Sequence, residues 1–319
     1  MNKPEYSLAS TEAFEDFPYQ FTYPPAPPPS LVTSIGKVGI LSPILTIRNG
    51  DQIQILDGHR RLMAARHTKI TRVPIAIISP ISPLKTLMTW IYAQSASRSL
   101  NPFEIARVVE NGPEVFKINS DEIFNLIIAE SLISLPKQLL PDLPGILSLP
   151  ERLKREAVLR SYSASFLVKL SKLYPQTLLE TMSSLLDVFS LSENQLSQLI
   201  EWIDEITRRD KLKPSDIFVQ DPLSFLLSHP RMPTAKKRDA ILKAIYEKRF
   251  PEKARLDKAF KEIQQKFSSI GNLNFLPPGE FAGDRFELRI VFSNPEDIKT
   301  SLQKAIRLQN EIKSLFKLF

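Results

Sequence analysis

The stretch Asp57–Arg66, DGHRRLMAAR, follows a run of alternating apolar residues, QIQIL, and opens a helix-like pattern in which two arginines occupy the first turn. That end of a helix already carries the positive pole of the macrodipole. Two guanidiniums there cost some tenths of a kcal/mol each unless an anion or a carboxylate answers them. Gly58 lets the backbone approach a ligand, the first-turn N–H groups point outward, and paired guanidiniums grip phosphate oxygens in fork geometry. Alternatively, Asp57 neutralises the turn and both arginines lie in solvent.

Outward from this stretch the pattern is that of a small α/β unit. SLVTSIGKVG (Ser30–Gly39) reads as a short helix with Ser30 as N-cap, Leu31, Ile35 and Val38 on one face, and Gly39 as the stop. PILTIR and QIQIL flank Asn49-Gly50, a hairpin signal, and RVPIAIIS supplies a third strand after the arginine helix. After Pro83 the chain reads as helical for roughly 185 residues. Leu84, Leu87, Met88 and Ile91 mark one helix, and Asn101-Pro102 caps the next, which Gly112 should end. Asn119 with Glu122 and Ser192 with Gln195 form capping boxes, the second opening a stripe of Leu196, Leu199, Ile200, Ile203 and Ile206. Two basic helices should break at Pro251, and NLNFLPP, RFELRIVF and a helix from Pro295 predict a ββα module. The first thirty residues, ending YPPAPPPS, read as an extended polyproline-like arm.

Composition narrows the chemistry. The 319 residues contain no cysteine, which excludes disulfides, thiolate metal sites and cysteine nucleophiles, and three scattered histidines do not make a zinc site. Nine glycines, with no GxGxxG or GxxxxGK[ST], disfavour a dinucleotide or P-loop fold. No run of 18 apolar residues and no signal-peptide pattern is present, so the expected location is cytoplasmic, without membrane contact. The net charge of +7 is concentrated: residues Arg231–Lys266 hold twelve Lys/Arg against five Asp/Glu, an excess as large as that of the whole chain. Such a segment suits a polyanion, or is a solvated helical face.

Three ordered motifs resemble the ParB family of chromosome and plasmid partition proteins. They are SIGKVGILSPI (Ser34–Ile44), ILDGHRRLMAAR with RVPIAII (Ile55–Ile78), and SLNPFEIARVVE (Ser99–Glu110). A fainter likeness, LPERLKREAVLRSYSASFLVKL (Leu149–Leu170), extends toward the family's helix-turn-helix domain. The resemblance implies an α+β, mostly helical chain: a ParB/sulfiredoxin-like N-terminal domain, a central helical region with a degenerate helix-turn-helix, and the ββα module. The expected division is an arm over 1–29, a nucleotide-binding domain over 30–98, a helix-turn-helix-like domain over 99–180, a basic helical region over 181–271, and the module over 272–319.

The same resemblance implies a nucleotide-gated, DNA-associated dimer. Gly58, His59, Arg60 and Arg61 would hold the phosphates of CTP or another nucleoside triphosphate, with Ser34, Gly39, Arg98, Asn101 and Glu104 nearby in the pocket. The element before Leu100 departs from the family: Ala93 and Gln94 replace its Glu and Asn, which leaves magnesium coordination and hydrolysis without their usual residues. His59 replaces a Glu and is read as filling space. Prolines 136, 141, 144 and 150, with Lys137 alone as a base, argue against a regular recognition helix there. DNA is therefore assigned to backbone contacts from Lys236, Lys237, Arg238, Lys243, Lys248 and Arg249. A homodimer and a partition ATPase partner follow from the family. Two other readings stand beside this one: an enzyme on the same fold, a nucleotide-dependent kinase or nuclease, and a protein-docking adaptor whose pocket binds nothing.

Overall fold

A computed structural model describes residues 3–316, apart from 15–17, 50–51, 80–81, 97, 187, 189, 269–272, 278–284 and 308. The chain divides into two compact units, Met1–Leu196 and Ser197–Phe319. It is mostly helical with a small sheet, an α+β fold, and no helix among the described residues is long and apolar enough to cross a membrane.

The first unit is built on a four-stranded sheet in the order β1-β4-β2-β3. Strands β2 (Ile44–Asn49) and β3 (Gln52–Asp57) pair antiparallel, as the alternation on either side of Asn49 predicts; Gly50 and Asp51 lie outside the described residues. β4 (Arg72–Ile78) runs parallel to β2, and β1 (Glu5–Ser10) completes the edge antiparallel to β4. Helices α1 (Pro29–Val38) and α2 (His59–His67) carry Ile35, Leu62, Ala64 and Ala65 into one core with Ile44, Ile55, Val73, Ile75 and Ile77. α1 starts at Pro29 instead of being capped by Ser30: Pro28 stands at the N-cap without a side-chain hydrogen bond, and proline is pre-set for a first helical turn. Gly39 ends it at φ 72°, as expected.

The expectation of an unpacked arm over residues 1–29 is corrected. β1 pairs along its whole length with β4, and Phe14, Phe21 and Tyr23 are buried. Phe21 and Tyr23 are buried and Tyr19 is half-buried, their rings packing against α3 (Pro83–Ser95) and α4 (Pro102–Phe116). Phe21 meets Trp90 edge-on at 5.3 Å and stacks on Phe116 at 5.6 Å, while Tyr23 packs on Phe103 at 5.1 Å. The proline content alone favours extension, and the aromatic rings decide that the segment is buried.

α4 has the capping box Asn101–Glu104, and α5 (Ser120–Ala129) the box Asn119–Glu122. Gly112 does not end α4, which runs on through Pro113 to Lys117 in the left-handed C-cap position. A Cβ on Gly112 would meet Ile123 Cδ1 at 2.9 Å, so the glycine serves the close approach of α4 and α5. The proline-rich stretch forms a 3-10 helix over Lys137–Ser148 in which Leu140, Leu143 and Ile146 are buried, a period of three that matches three residues per turn. It is followed by α6 (Glu151–Leu159), α7 (Ala164–Leu173) and α8 (Gln176–Leu185).

Helix α9 (Glu193–Asp210) crosses the unit boundary, with Leu196, Leu199, Ile200, Ile203 and Ile206 all fully buried and Ser192 and Gln195 exchanging cap hydrogen bonds. The second unit adds α10 (Pro214–Phe218), α11 (Leu223–Ser228), and the basic pair α12 (Thr234–Arg249) and α13 (Pro251–Ser268), separated at Pro251 as expected. Strands β5 (Leu273–Leu276) and β6 (Glu287–Ile290) form an antiparallel pair, with Phe275 stacked on Phe260 of α13, and α14 (Pro295–Arg307) and α15 (Gln309–Phe316) close the chain.

Removal of residues 1–28 tests the revised role of the N-terminal segment. Losing Phe14, Phe21 and Tyr23 from the core should cost about 5 kcal/mol, at ~1.5–3 kcal/mol for each buried ring. In thermal unfolding the truncated chain should melt roughly 10–20 °C lower than the full chain. A detachable arm would leave the transition unchanged.

Candidate functional site

β3 ends at Asp57, and the chain turns into α2 through Gly58, which sits at φ 108° and ψ 13° as N-cap. Glycine is required there twice over: the left-handed backbone strains any side chain, and a Cβ would meet Arg61 Nη2 at 3.0 Å and Ile44 Cγ2 at 3.2 Å. The turn delivers Arg60 and Arg61 to the mouth of a cavity of about 400 Å³, lined by Thr22, Leu31, Ser42, Asp57, Gly58, His59, Arg60, Arg61, Ala93, Gln94 and Arg98. That volume lies within the range of small-molecule sites.

Each guanidinium has a defined partner. Arg60 donates from Nε to the carbonyl of Pro24 at 2.9 Å and also from Nη2 to the same oxygen. Arg61 pairs with Asp57 at 2.7 Å and donates to the carbonyls of Ser42 and Pro43 at 2.6 and 2.9 Å. The other Asp57 oxygen accepts from Gln94 Nε2 at 2.6 Å. Arg98 donates from Nη1 to Glu104 Oε2 at 2.7 Å and from Nη2 to Glu104 Oε1. Glu104 is fully buried and also accepts from the backbone N–H of Tyr23 at 3.1 Å and of Asn101 at 3.0 Å.

Of the residues expected at the site, Gly58, His59, Arg60, Arg61 and Arg98 are brought together around the cavity. Asn101 and Glu104 stand behind it: Asn101 caps α4 and donates to the Tyr23 carbonyl at 3.0 Å, while Glu104 fixes Arg98. Ser34 and Gly39 do not line it. Sequence reasoning missed Thr22, Leu31, Ser42 and the whole Thr22–Pro24 backbone, since a carbonyl donated from a distant segment leaves no mark on residue type. Gln94, noted only as a departure from the family, bridges Asp57 and Arg98, its Oε1 accepting from Arg98 Nη2 at 3.4 Å.

Electrostatics follow from this packing. Burial lowers the pKa of Arg60, and the neighbouring charge of Arg98 lowers it further against the opposing pull of Glu104. The Glu104 hydrogen bond raises Arg98. His59 is held down to about 4, by burial first, against the opposing attraction of Asp57, so at neutral pH it is uncharged. Three guanidiniums and one carboxylate face the cavity, an arrangement that suits a di- or triphosphate. Among the described lining residues Asp57 is the single carboxylate, and its two oxygens accept from Arg61 and Gln94.

The six residues expected at DNA all lie on α12. Lys236 is exposed; Lys237 donates to the Leu227 carbonyl at 3.1 Å, Arg238 pairs with Asp239 at 2.9 Å and Lys243 with Glu247 at 3.6 Å. Lys248 donates to Gln220 at 2.7 Å, while Arg249 pairs with Glu205 and lies 4.6 Å over the Phe250 ring. At about 100° per residue, Lys236 and Lys243 share one stripe of the helix, Lys237 and Lys248 a second, and Arg238 and Arg249 a third.

Residues 28–92 match the model of the ParB N-terminal domain. Among curated proteins none matches the chain. Solved structures similar to it include the C-terminally truncated chromosome-partitioning protein ParB from Caulobacter crescentus complexed with CTP-gamma-S. That likeness is 22% identical, covers 55% of this chain and 97% of that one, and has a TM-score of 0.26. The same protein complexed to the centromeric parS site gives 19%, 61%, 98% and 0.31. A Pnob8-like ParB-N domain gives 16%, 76%, 98% and 0.36.

His59 makes the site acid-sensitive. Its folded pKa of about 4 lies below the ordinary 6.5, so the unfolded chain binds the proton more readily. The stability it contributes is complete above pH ~6.5 and is lost as pH falls toward 4, an amount of about 3 kcal/mol. Melting curves across pH 7 to 4 should fall more steeply for the wild-type chain than for His59→Gln, and parallel curves would show that folding does not depress the His59 pKa.

Proposed function

We propose, from the ParB N-terminal domain that residues 28–92 form, that this chain is a DNA-associated protein of the partition or transcription-regulator type. Its cavity takes a nucleoside triphosphate as a conformational switch, with weak or absent hydrolysis. The observation that carries the reading is the convergence of Arg60, Arg61 and Arg98 with Gly58 on one cavity of about 400 Å³. CTP is the nucleotide to try first, on the resemblance of the DGHRRLMAAR box to its family counterpart. The phosphates would be held by guanidinium forks and first-turn N–H groups of α2. A kinase or nuclease on this fold needs a base or a metal-holding carboxylate near the phosphates, and Asp57 is already committed to Arg61 and Gln94.

DNA contact belongs to the basic α12–α13 pair, by phosphate contacts that position without reading sequence, while the 3-10 stretch Lys137–Ser148 stands where a recognition helix would otherwise lie. A homodimer through the C-terminal module is supported by its uncovered apolar residues: Val291, Phe292, Leu302 and Ile306 are exposed, the last two one turn apart on α14. A partition ATPase partner completes this reading. The adaptor alternative is favoured by one observation, that Arg60 and Arg61 already hold carbonyl oxygens of their own chain.

Thermal unfolding with CTP, ATP, GTP and UTP separates these readings. A selective ligand at a hundredfold over its Kd should stabilise by about 2.7 kcal/mol, and the shift should vanish in Arg60→Ala/Arg61→Ala while circular dichroism remains unchanged. No shift with any nucleotide would leave the docking adaptor as the reading. For DNA, affinity should fall linearly with salt on logarithmic axes, with Lys236→Ala and Lys243→Ala each reducing the slope by ~0.9; slopes equal to wild type would remove α12 from the interface.

A further inference from the structure

Two of the three guanidiniums that line the cavity are wired to one short piece of backbone. Arg60 holds the Pro24 carbonyl directly, from both Nε and Nη2. Arg98 holds Glu104, and Glu104 accepts the N–H of Tyr23, the residue before. The same piece is pinned from outside the cavity. Arg107 donates to the Thr22 carbonyl at 3.0 Å, Asn101 to the Tyr23 carbonyl, and the Tyr23 hydroxyl donates to Glu151 of α6 at 2.8 Å. Burial first, then the Glu151 hydrogen bond and charge, raise the pKa of that phenol, so it remains a donor at neutral pH.

From this wiring we propose that the Thr22–Pro24 strap is a built-in competitor of the ligand. The Pro24 carbonyl occupies the Arg60 fork, and a polyphosphate takes the fork by releasing the strap from the arginine turn. The inference rests on the reading of the cavity as a phosphate site. Its physical basis is substitution: the guanidinium assists both hydrogen bonds with its charge, but a carbonyl oxygen carries only a partial charge where a phosphate oxygen carries a full one and fits the fork with two oxygens. Arg60, buried beside Arg98 and lowered in pKa by that burial and by Arg98's charge, gains most from the exchange. Because coupling is reciprocal, whatever loosens the strap must tighten the ligand, and the ligand must loosen the strap. The strap also carries Phe21 and Tyr23 between α3 and α4, so its release transmits occupancy of the cavity to the helical part of the first unit.

Two variants weaken the strap at residues that do not themselves line the cavity: Tyr23→Phe removes the hydrogen bond to Glu151, and Arg107→Ala removes both the hydrogen bond to Thr22 and the cation over the Tyr23 ring. Calorimetric titration with CTP and with inorganic triphosphate should show both variants binding several-fold tighter than the wild-type chain. Hydrogen exchange on the wild-type protein reads the reciprocal effect whether or not the variants fold well. Saturating triphosphate should speed exchange of the Tyr23 amide about tenfold while the α2 amides slow. Slower exchange at Tyr23 on binding, or weaker binding by folded variants, would make the strap a wall of the site and overturn the competition. Absence of binding by the wild-type chain to any nucleotide and to triphosphate would instead overturn the phosphate site itself.

Discussion

The buried carboxylate of Glu104 is the constraint on which the first unit depends. It has no exposed surface, and an ionised group so placed is tolerated only when charged and polar partners surround it. Arg98 supplies the opposite charge, and the N–H groups of Asn101 and Tyr23 satisfy remaining lone pairs. Three parts of the chain are thereby joined: the residue that lines the cavity, the cap of α4, and an N-terminal segment more than seventy residues away in sequence. Local sequence makes the first two links, since Asn101 and Glu104 form a capping box at the standard spacing. The third exists only because Tyr19, Phe21 and Tyr23 bury their rings against α3 and α4 and so hold the Tyr23 amide in place.

The paired arginines at the start of α2 then become physically reasonable. A helix N-terminus repels them, yet neither faces water alone. Asp57 answers Arg61 across one helical turn, and the carbonyls of Pro24, Ser42 and Pro43 present their negative ends to the remaining donors. Of the two sequence interpretations, the neutralising acid is present for Arg61, and Arg60, instead of lying in solvent, is held by the carbonyl of Pro24. Gly58 cannot be exchanged for a residue with a side chain, because the left-handed turn that aims the guanidiniums leaves no room for a Cβ against Arg61 and Ile44.

What was legible follows a division between local and distant causes. The β2–β3 hairpin, the Asn101 and Asn119 caps, the fully buried stripe Leu196 to Ile206 and the break at Pro251 all arise from periodicity or capping within a few residues, and they stand where the sequence places them. The N-terminal segment was misread because proline content reports backbone extension and says nothing about burial. Its partner strand β4 lies more than sixty residues on. Gly112 was read as a stop from its type, when the deciding fact is the approach of Ile123 from the next helix. At the cavity, residue types brought forward Gly58, Arg60 and Arg61 and the family resemblance added Arg98; the carbonyls that hold Arg60 and Arg61, and the bridge through Gln94, depend on tertiary packing.

The same division governs the basic helices. Their excess of charge is a sum and can be read without a structure, but a polyanion is met by a face, and a face depends on rotation about the helix axis. On α12 the bases fall on three stripes, and the stripe of Arg238 and Arg249 is drawn toward its own unit: Arg249 pairs with Glu205 and covers Phe250, while Arg209 donates to the last carbonyls of the helix. Those cations spend their hydrogen bonds on joining α9 to α12, which also brings Trp202 against Tyr246 and Phe250. The stripe of Lys236 and Lys243 retains only a long ion pair to Glu247 among the contacts described above. The three stripes lie about 120° apart, so any straight polyanion laid along α12 could meet one or two of them, fewer bases than the count along the sequence suggests.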